Sequence, residues 1–166
     1  MKVYQIVPRG YCKGVIRAIE TAKKQAHHED TYILGMIVHN QYIVDALENL
    51  GIKTIDKKGA SREELLEEVN KGTVIITAHG ASDNVKKKAL EKNLNVIDAT
   101  CPDVIKTHDL IKDYLNKGFE ILYIGKNGHP ESEGALSINY EHIHLIETKT
   151  DLDKLDKNLK YVITNQ

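Results

Sequence analysis

Short apolar runs alternate with stretches of helical periodicity along the chain. The runs are three to five residues long and rich in β-branched side chains, as is typical of buried strands: 3–7, 32–34, 52–55, 74–77, 96–98, 121–124, 142–146 and 161–164. Between them, apolar side chains recur three and four residues apart, as on one face of a helix. The pattern therefore predicts strands and helices in regular succession.

Capping signals place helices between these strands. Ser61 followed by Glu64 is a capping box, and Asn40 and Ser82 are N-cap residues in front of apolar stripes. Pro102 suits the first turn of a further helix because its fixed φ is helical. Glycines end three of the predicted helices: Gly51, Gly72 and Gly118.

The alternation of strands and helices determines the fold class that we predict. Such an order is typical of mainly parallel sheets flanked by helices on both faces. We therefore predict an α/β fold of two small domains. The first spans 1–99 and the second spans 100–166, with the boundary near Ala99–Cys101, where one series of strands and helices ends and another begins.

Composition excludes several classes of protein. A hydrophobic fraction of 41% and a charged fraction of 28% in 166 residues allow a packed core and argue against disorder. The net charge of −1 provides no global field that attracts nucleic acid or an anionic membrane. We predict no nucleic-acid partner.

The chain carries no sequence signal for membrane insertion or export. No apolar run is long enough to cross a bilayer, and 1–7 is too short for a secretory signal peptide. We therefore predict a cytoplasmic location and no membrane partner. Thiols stay reduced there, so a structural disulfide between Cys12 and Cys101 is disfavoured.

Chemically versatile residues follow five of the predicted strands, at the junctions that lead into helices. They are Cys12, His39, His79, Cys101 and His129. In open α/β sheets, ligands bind beyond the carboxyl ends of the strands, where helix N-termini favour anions. Neighbouring glycines permit close approach of the backbone to a ligand. The sequence thus predicts a cleft for an anionic ligand, faced by thiols and imidazoles.

Other interpretations of these residues remain open at this point. Cys12 and Cys101 are also consistent with two unrelated buried cysteines. A zinc site of two cysteines and two histidines fits the residue types but lacks closely spaced ligand pairs. The three histidines alone would suit a non-catalytic phosphate- or diphosphate-binding module. The remaining histidines are interpreted as surface or core residues: His27, His28, His108, His142 and His144.

The segments around the junctions resemble 4-hydroxy-3-methylbut-2-enyl diphosphate reductases, the LytB family. The matching segments are PRGYCKGV at 8–15, VHN at 38–40, AHGAS at 78–82, DATCP at 98–102 and GHPESEG at 128–134. Each is a weak signal alone, but five in the same order and spacing make a chance match improbable. Asp103 departs from the apolar or aromatic residue expected there, which affects local packing only.

The resemblance implies an iron–sulfur oxidoreductase of isoprene biosynthesis by the methylerythritol phosphate pathway. The parent fold would be three similar α/β domains around a central cavity, with a 4Fe–4S cluster held by one cysteine from each domain. One iron without a protein ligand would bind the substrate hydroxyl. Two electrons and protons would remove that hydroxyl as water, giving isopentenyl and dimethylallyl diphosphate. The electron donor would be a small protein such as ferredoxin or flavodoxin.

Roles follow from the resemblance position by position. Cys12 and Cys101 match the first two cysteines that bind the metal cluster. His39, His79 and His129 match the histidines that bind the diphosphate of the substrate. Charge-assisted hydrogen bonds from protonated imidazoles to phosphate oxygens would favour such binding.

Glu131 matches the acid that delivers a proton and is the predicted catalytic residue. Nearby negative charge from a cluster and a diphosphate disfavours ionisation, so we expect this carboxyl group to keep its proton longer than a free one. That is the state a proton donor needs. The alternative is a plain carboxylate at a helix N-terminus, favoured by the helix dipole.

The resemblance covers about half of the family's length. In the family, a threonine pair, a third cysteine and a Ser-Asn group follow the strand at 161–164. We therefore interpret the sequence as an N-terminal fragment of a longer protein. We expect the chain alone to carry no intact cluster, to lack reductase activity, and to self-associate through the surface that a missing domain would cover.

Overall fold

The computed structural model describes residues 1–7, 9–28 and 30–166. The first half of the chain contains α1 Lys13–Lys23, β1 Thr31–Leu34, α2 Gln41–Glu48, β2 Ile52–Ile55, α3 Arg62–Glu67, β3 Thr73–Ile76, α4 Asp83–Glu91 and β4 Asn95–Asp98. The second half contains α5 Pro102–Asn116, β5 Glu120–Ile124, α6 Pro130–Leu136, β6 Ile143–Ile146, a 3-10 helix Lys149–Lys154 and β7 Tyr161–Asn165.

The first four strands form one parallel sheet in the order β2-β1-β3-β4. Leu34, Ile55, Ile76 and Asp98 lie side by side at the last position of each strand, so the carboxyl ends are level. One buried cluster contains residues of α1 and α2, and the other contains residues of α3 and α4. Helices therefore cover both faces, which confirms the predicted α/β class.

The last three strands form a second parallel sheet in the order β6-β5-β7. Its core contains Ile111 of α5, Ala135 of α6, and Tyr123 and Ile143 of the sheet. Two sheets agree with the predicted organisation, while the domain limits 1–99 and 100–166 stay a prediction. Across the described ranges, no helix is both long and apolar enough to span a bilayer.

The predicted first strand, 3–7, is wrong. The segment has no regular secondary structure, and the side chains of Val3, Ile6 and Val7 are 76%, 80% and 78% exposed. An apolar run becomes a strand only when another strand pairs with it and its side chains are buried. Neither sheet includes this segment. Pro8, which follows it, lies outside the described residues.

The predicted helix caps are confirmed. Ser61 and Glu64 form a reciprocal capping box at the start of α3. The side chain of Asn40 accepts a hydrogen bond from the backbone of Tyr42 at the start of α2, and Ser82 caps α4 in the same manner. These caps fix where the loops at the carboxyl ends of β1 and β3 stop and the following helices begin.

Candidate active site

Three loops bring His39, His79 and His129 to the wall of a single cleft of about 370 Å³. His39 lies in the loop after β1, His79 follows β3, and His129 precedes α6. Lys57 and Lys58 also line the cleft, together with the acidic residues Asp56 and Glu133. The cleft spans the two sheets, because His129 belongs to the second and the other histidines to the first. The structure thus unites the three histidines predicted from the sequence.

His79 and His129 are in direct contact. Their ring centroids are 5.2 Å apart and the rings meet edge to face at 79°. The backbone N–H of Glu131 donates to Nδ1 of His129 at 3.2 Å. A neutral His129 is therefore protonated at Nε2, which leaves that N–H free to donate to a ligand.

Glu131 lies beside His79 at the start of α6. Its Oε2 is 3.7 Å from Nδ1 of His79. Interaction with His79 lowers the pKa of Glu131, while partial burial acts in the opposite direction. We expected a raised pKa because of neighbouring negative charge. In the structure the neighbouring titratable groups are imidazoles, whose protonated forms favour an ionised carboxylate, so a retained proton on Glu131 requires an anion in the cleft.

The pKa of His129 is also lowered. Burial is the largest cause, and repulsion by a protonated His79 is the next. Glu131 opposes both effects, and His39 and Arg62 add to them. Protonation of His129 also gives up the hydrogen bond that its Nδ1 accepts from Glu131, so it is costly until negative charge enters the cleft to compensate it.

Cys12 and Cys101 lie together at two helix N-termini. Cys12 is the N-cap of α1 and Cys101 the N-cap of α5, and neither side chain caps its own helix. A Cβ placed on Gly14, in the first turn of α1, would lie 2.7 Å from Sγ of Cys101. Both sulfurs thus belong to one corner of the molecule, and both thiols are free and at least partly exposed.

Hydrogen bonds hold this cysteine corner against the first sheet. Arg17 of α1 donates to the carbonyl oxygen of Thr100 at 2.7 Å. The N–H of Cys101 donates to the carbonyl oxygen of Ala78 at 2.9 Å, directly before His79. Asp98 accepts hydrogen bonds from the backbone and the hydroxyl of Thr100. The loop that carries Cys101 is therefore fixed next to the loop that carries His79.

A second bond links the cysteine corner to His39. The side-chain amide of Asn40 donates to the hydroxyl of Tyr11 at 2.7 Å. Tyr11 precedes Cys12 and Asn40 follows His39, so the two reactive residues are carried by loops in contact. The cysteines are not among the residues that line the histidine cleft. The structure therefore gives two adjoining sites, one of imidazoles and one of thiols.

The cysteine corner suits part of an iron–sulfur centre. Thiolates are soft ligands for iron, and the N-termini of α1 and α5 favour the negative charge of a thiolate cluster. Gly14 leaves room beside Sγ of Cys101 that any side chain would fill. In residues 1–7, 9–28 and 30–166, no group of three or more His, Cys, Asp or Glu side chains is arranged to bind a metal ion. The zinc site of two cysteines and two histidines is thus not assembled there.

Arg62 is a residue of the cleft that the sequence analysis missed. It lies at the first position of α3, yet its side chain is 5% exposed and lines the cleft with the three histidines. Burial lowers its pKa to about 10. An arginine directly after an N-cap is ordinarily exposed to solvent, so the sequence pattern alone does not indicate that Arg62 is buried.

The remaining histidines lie outside the cleft. His142 and His144 each bond to one oxygen of Glu120 at 2.8 Å, at the amino end of β5. His108 is half-buried in α5 against Gly134 of α6, and burial lowers its pKa. These positions agree with their interpretation as surface or core residues.

Comparison with known proteins identifies the family. The sequence profile described as LytB protein matches residues 3–166. The chain belongs to the LytB protein family. Two curated relatives are named 4-hydroxy-3-methylbut-2-enyl diphosphate reductase: one from Geobacillus thermodenitrificans strain NG80-2, 54% identical, and one from Brevibacillus brevis, 51% identical.

The match to the LytB relatives covers 100% of this chain and 54% of each relative. The chain thus spans about half the length of the curated relatives it matches. A solved structure, the E-1-hydroxy-2-methyl-but-2-enyl-4-diphosphate reductase from Plasmodium falciparum, superposes with a TM-score of 0.84 at 33% identity. That superposition covers 96% of this chain and 49% of the other. The family resemblance drawn from five short segments is confirmed.

Proposed function

We propose that this chain provides the diphosphate-binding histidines and two cluster cysteines of a 4-hydroxy-3-methylbut-2-enyl diphosphate reductase, an oxidoreductase of isoprenoid biosynthesis. The observation that carries the proposal is the single cleft lined by His39, His79 and His129. Cys12 and Cys101 on adjoining loops supply the ligand type that iron–sulfur chemistry requires. The names of the LytB relatives support the same reaction.

The histidines bind the diphosphate end of the substrate. Nε2–H of His129 and the ring N–H groups of His39 and His79 donate to phosphate oxygens. Each bond becomes charge-assisted when the imidazole is protonated. Lys57 and Lys58 on the same wall add long-range attraction for the anion.

Glu131 delivers a proton to the departing hydroxyl. A diphosphate held by His79 and His129 places negative charge close to the carboxyl group and reverses the environment that lowers its pKa. The carboxyl group then takes up a proton, which it donates as the hydroxyl leaves as water. His79, 3.7 Å away, holds Glu131 in place between proton transfers.

Cys12 and Cys101 would hold two irons of a 4Fe–4S cluster. When bound, the cluster would relay two electrons, one at a time, from an external donor, and with two protons these replace the C–O bond of the allylic alcohol by a C–H bond and release water. The sequence contains two cysteines, so the third thiolate has to come from outside it. We accordingly propose that the chain on its own forms no stable four-iron centre and does not turn over substrate, but still binds a diphosphate.

Partners and location follow from the same chemistry. Two-electron reduction needs an external donor, and a small ferredoxin or flavodoxin is the class that we propose. We propose the cytoplasm as the location, where thiols such as those of Cys12 and Cys101 stay reduced.

A chimeric enzyme tests the proposed reaction. This chain would replace the matched 54% of the Geobacillus thermodenitrificans relative, and anaerobic assays would follow loss of the substrate hydroxyl. We expect a four-iron chromophore and turnover, because the chain then contributes its groups to a complete protein. A chimera that carries the cluster but shows no turnover would refute the assignment of substrate and reaction.

Matched variants assign the roles within the chimera. Cys12→Ser and Cys101→Ser should abolish the chromophore. His129→Ala should keep the chromophore and raise KM for the diphosphate, and Glu131→Gln should lower kcat with little change in KM. His28→Ala, an exposed histidine outside the cleft, should behave as the unmodified chimera.

The isolated chain also has a second candidate function, as a diphosphate-binding module without redox chemistry. The histidine cleft lies wholly within this chain, whereas the described residues contain no complete metal site. Pyrophosphate binding by the chain, together with an inactive chimera, would favour this function over the reductase.

A further inference from the structure

Arg62 connects the two loops that carry His39 and His79. One guanidinium nitrogen donates to the carbonyl oxygen of Leu34, the last residue of β1. The other terminal nitrogen donates to Oγ1 of Thr77, directly after β3, at 2.7 Å. A single side chain thus joins the carboxyl ends of two neighbouring strands, and a histidine loop leaves the sheet from each of those ends.

Gly35 shows that the chain is shaped around this guanidinium. Its φ of +75° lies in the left-handed region, and a Cβ placed on it would lie 3.2 Å from Nη1 of Arg62. A side chain at this position would be strained and would press on Arg62. The turn from β1 toward His39 therefore depends on close contact with the arginine.

Burial of this cation is expensive for the fold. Nε of Arg62 has no hydrogen-bond partner in the part of the chain that the structure describes, and the nearest acidic groups are Glu133 and Asp56. Well-packed apolar residues commonly replace a buried charge at no loss of stability. A role beyond packing explains why an arginine occupies the site.

We propose that Arg62 is a positioning residue of the diphosphate site, which orients the loops of His39 and His79 by holding the Leu34 carbonyl oxygen and the Thr77 hydroxyl where the two loops begin. The identity of the ligand, a diphosphate, rests on the proposed function, whereas the effect of Arg62 on the positions of His39 and His79 does not. The planar fork of Arg62 holds two nitrogens at a fixed spacing, one for each acceptor, whereas lysine has a single nitrogen at the end of a flexible stem. Arg62 also adds a fixed positive charge to the wall of the cleft.

Arg62→Lys in the chain tests the proposal, with inorganic pyrophosphate as the probe. Titration calorimetry should show affinity weakened by about tenfold or more, because lysine keeps the charge but lacks the fork that fixes the Leu34 carbonyl oxygen and the Thr77 hydroxyl together. Histidine ring signals in NMR spectra should shift for His39 and His79 and stay unchanged for His142 and His144. Those two bond to Glu120 at the amino end of β5 and report general damage to the fold.

Thr77→Val provides an independent variant that leaves Arg62 in place. It removes one acceptor without changing volume, so it should weaken pyrophosphate binding in the same direction. The effect of the double variant with Arg62→Lys should be less than the sum of the single effects, because both break one connection. Lys92→Met is the matched control, since Lys92 donates to the carbonyl oxygen of Leu66 at 3.1 Å at the far end of α3. It should bind pyrophosphate as the unmodified chain does.

The outcomes separate this proposal from the proposed function. Unshifted His39 and His79 signals in Arg62→Lys would overturn the positioning role, whatever happens to affinity. Shifted signals with unchanged affinity would overturn its importance for binding. If the unmodified chain does not bind pyrophosphate, the proposed diphosphate site is refuted. The NMR comparison would still decide whether Arg62 positions the loops of His39 and His79.

Discussion

At the scale of single residues, we expect the cleft histidines to couple anion binding to protonation. Burial and His79 lower the pKa of His129, and negative charge from a bound diphosphate should stabilise its charged form. If the pKa of a group is higher in the complex than in the unliganded chain, affinity increases as pH falls. The increase stops once pH is below the pKa that the group has in the unliganded chain. Since that value lies below the ordinary value of about 6.5, we expect pyrophosphate affinity to keep rising as pH falls below about 6.5.

Calorimetry in buffers of different ionisation enthalpy would measure this as proton uptake on binding. His129→Ala should take up fewer protons and show a flatter pH profile, whereas His28→Ala should reproduce the unmodified profile. Proton uptake and pH profile that are the same in His129→Ala and in the unmodified chain would exclude the imidazolium of His129 as a ligand of the anion, because titration of pyrophosphate itself is common to both.

Gly14 is the residue on which contact between α1 and Cys101 depends. Gly14→Ala should raise helix propensity, but its Cβ would meet Sγ of Cys101 at 2.7 Å. We expect a net loss of about 1–3 kcal/mol in the free energy of unfolding, as for other overpacked sites. Urea denaturation measures the loss, and Glu20→Ala on the exposed face of α1 is the control. A stabilised Gly14→Ala variant would show that the two helices separate freely.

Some residues of the site can be predicted from the sequence and others cannot. His39, His79, Cys101 and His129 lie in the junctions between an apolar run and the next helix, so the rule that ligands bind at strand carboxyl ends finds them. Arg62 does not follow a strand, and its burial depends on how α3 packs over the ends of β1 and β3. That information is absent from local pattern, because exposed and buried arginines occupy the same place in a capping sequence.

At the scale of elements, periodicity and caps predicted strands and helices well where a neighbouring element completes the burial. The segment 3–7 has the composition of a strand, but no described strand pairs with it. Strand formation is decided by pairing across the sheet, which a single segment does not specify. Helices such as α3 are easier to predict because a capping box and the backbone bonds are local.

The turn between β6 and β7 depends on one carboxylate. Asp151 accepts hydrogen bonds from the backbone of Glu147 and Thr148, and these bonds lower its pKa to about 2. Its contribution to stability is complete above the ordinary pKa of 3.8 and is lost as pH falls toward 2. We expect local opening of this turn below about pH 4.

Amide hydrogen exchange tests the role of this turn. Asp151→Asn should speed exchange at Glu147 and Thr148 at neutral pH, because the charge-assisted bonds are weakened. Asp153→Asn, an exposed neighbour in the same 3-10 helix, should leave both rates unchanged. Equal protection in Asp151→Asn would mean that packing of β6 and β7 alone holds the turn.

At the scale of the whole molecule, apolar side chains remain exposed beside an edge strand. β7 lies at the edge of the second sheet, and Ile163 on it is 65% exposed. Leu110 of α5 is exposed on the same side, and the two line a depression of about 280 Å³. Unpaired strand edges with apolar neighbours favour association with another copy.

We therefore expect the chain to self-associate as its concentration rises. Sedimentation velocity should show an average mass that increases with concentration, and Ile163→Lys should reduce that increase by adding charge to the edge. Tyr42→Lys, which replaces an exposed aromatic residue on α2, should not reduce it. A strictly monomeric profile over the whole concentration range would contradict the expectation.

Because the strands within each sheet run in one direction, the residues of the candidate site lie at the carboxyl ends of the strands, and the opposite ends carry turns without such residues. Each loop that carries a cysteine or histidine of the site follows the carboxyl end of a strand or leads into the N-terminus of a helix. The turns at the amino ends of the strands only connect a helix to the next strand. At Gly51 and Gly118, among those turns, no described atom lies within 4 Å of where a side chain would begin. Residues added beside these two turns would have room to extend into solvent without touching the three histidines of the cleft, whereas Gly51 and Gly118 themselves, at φ +83° and +77°, favour glycine.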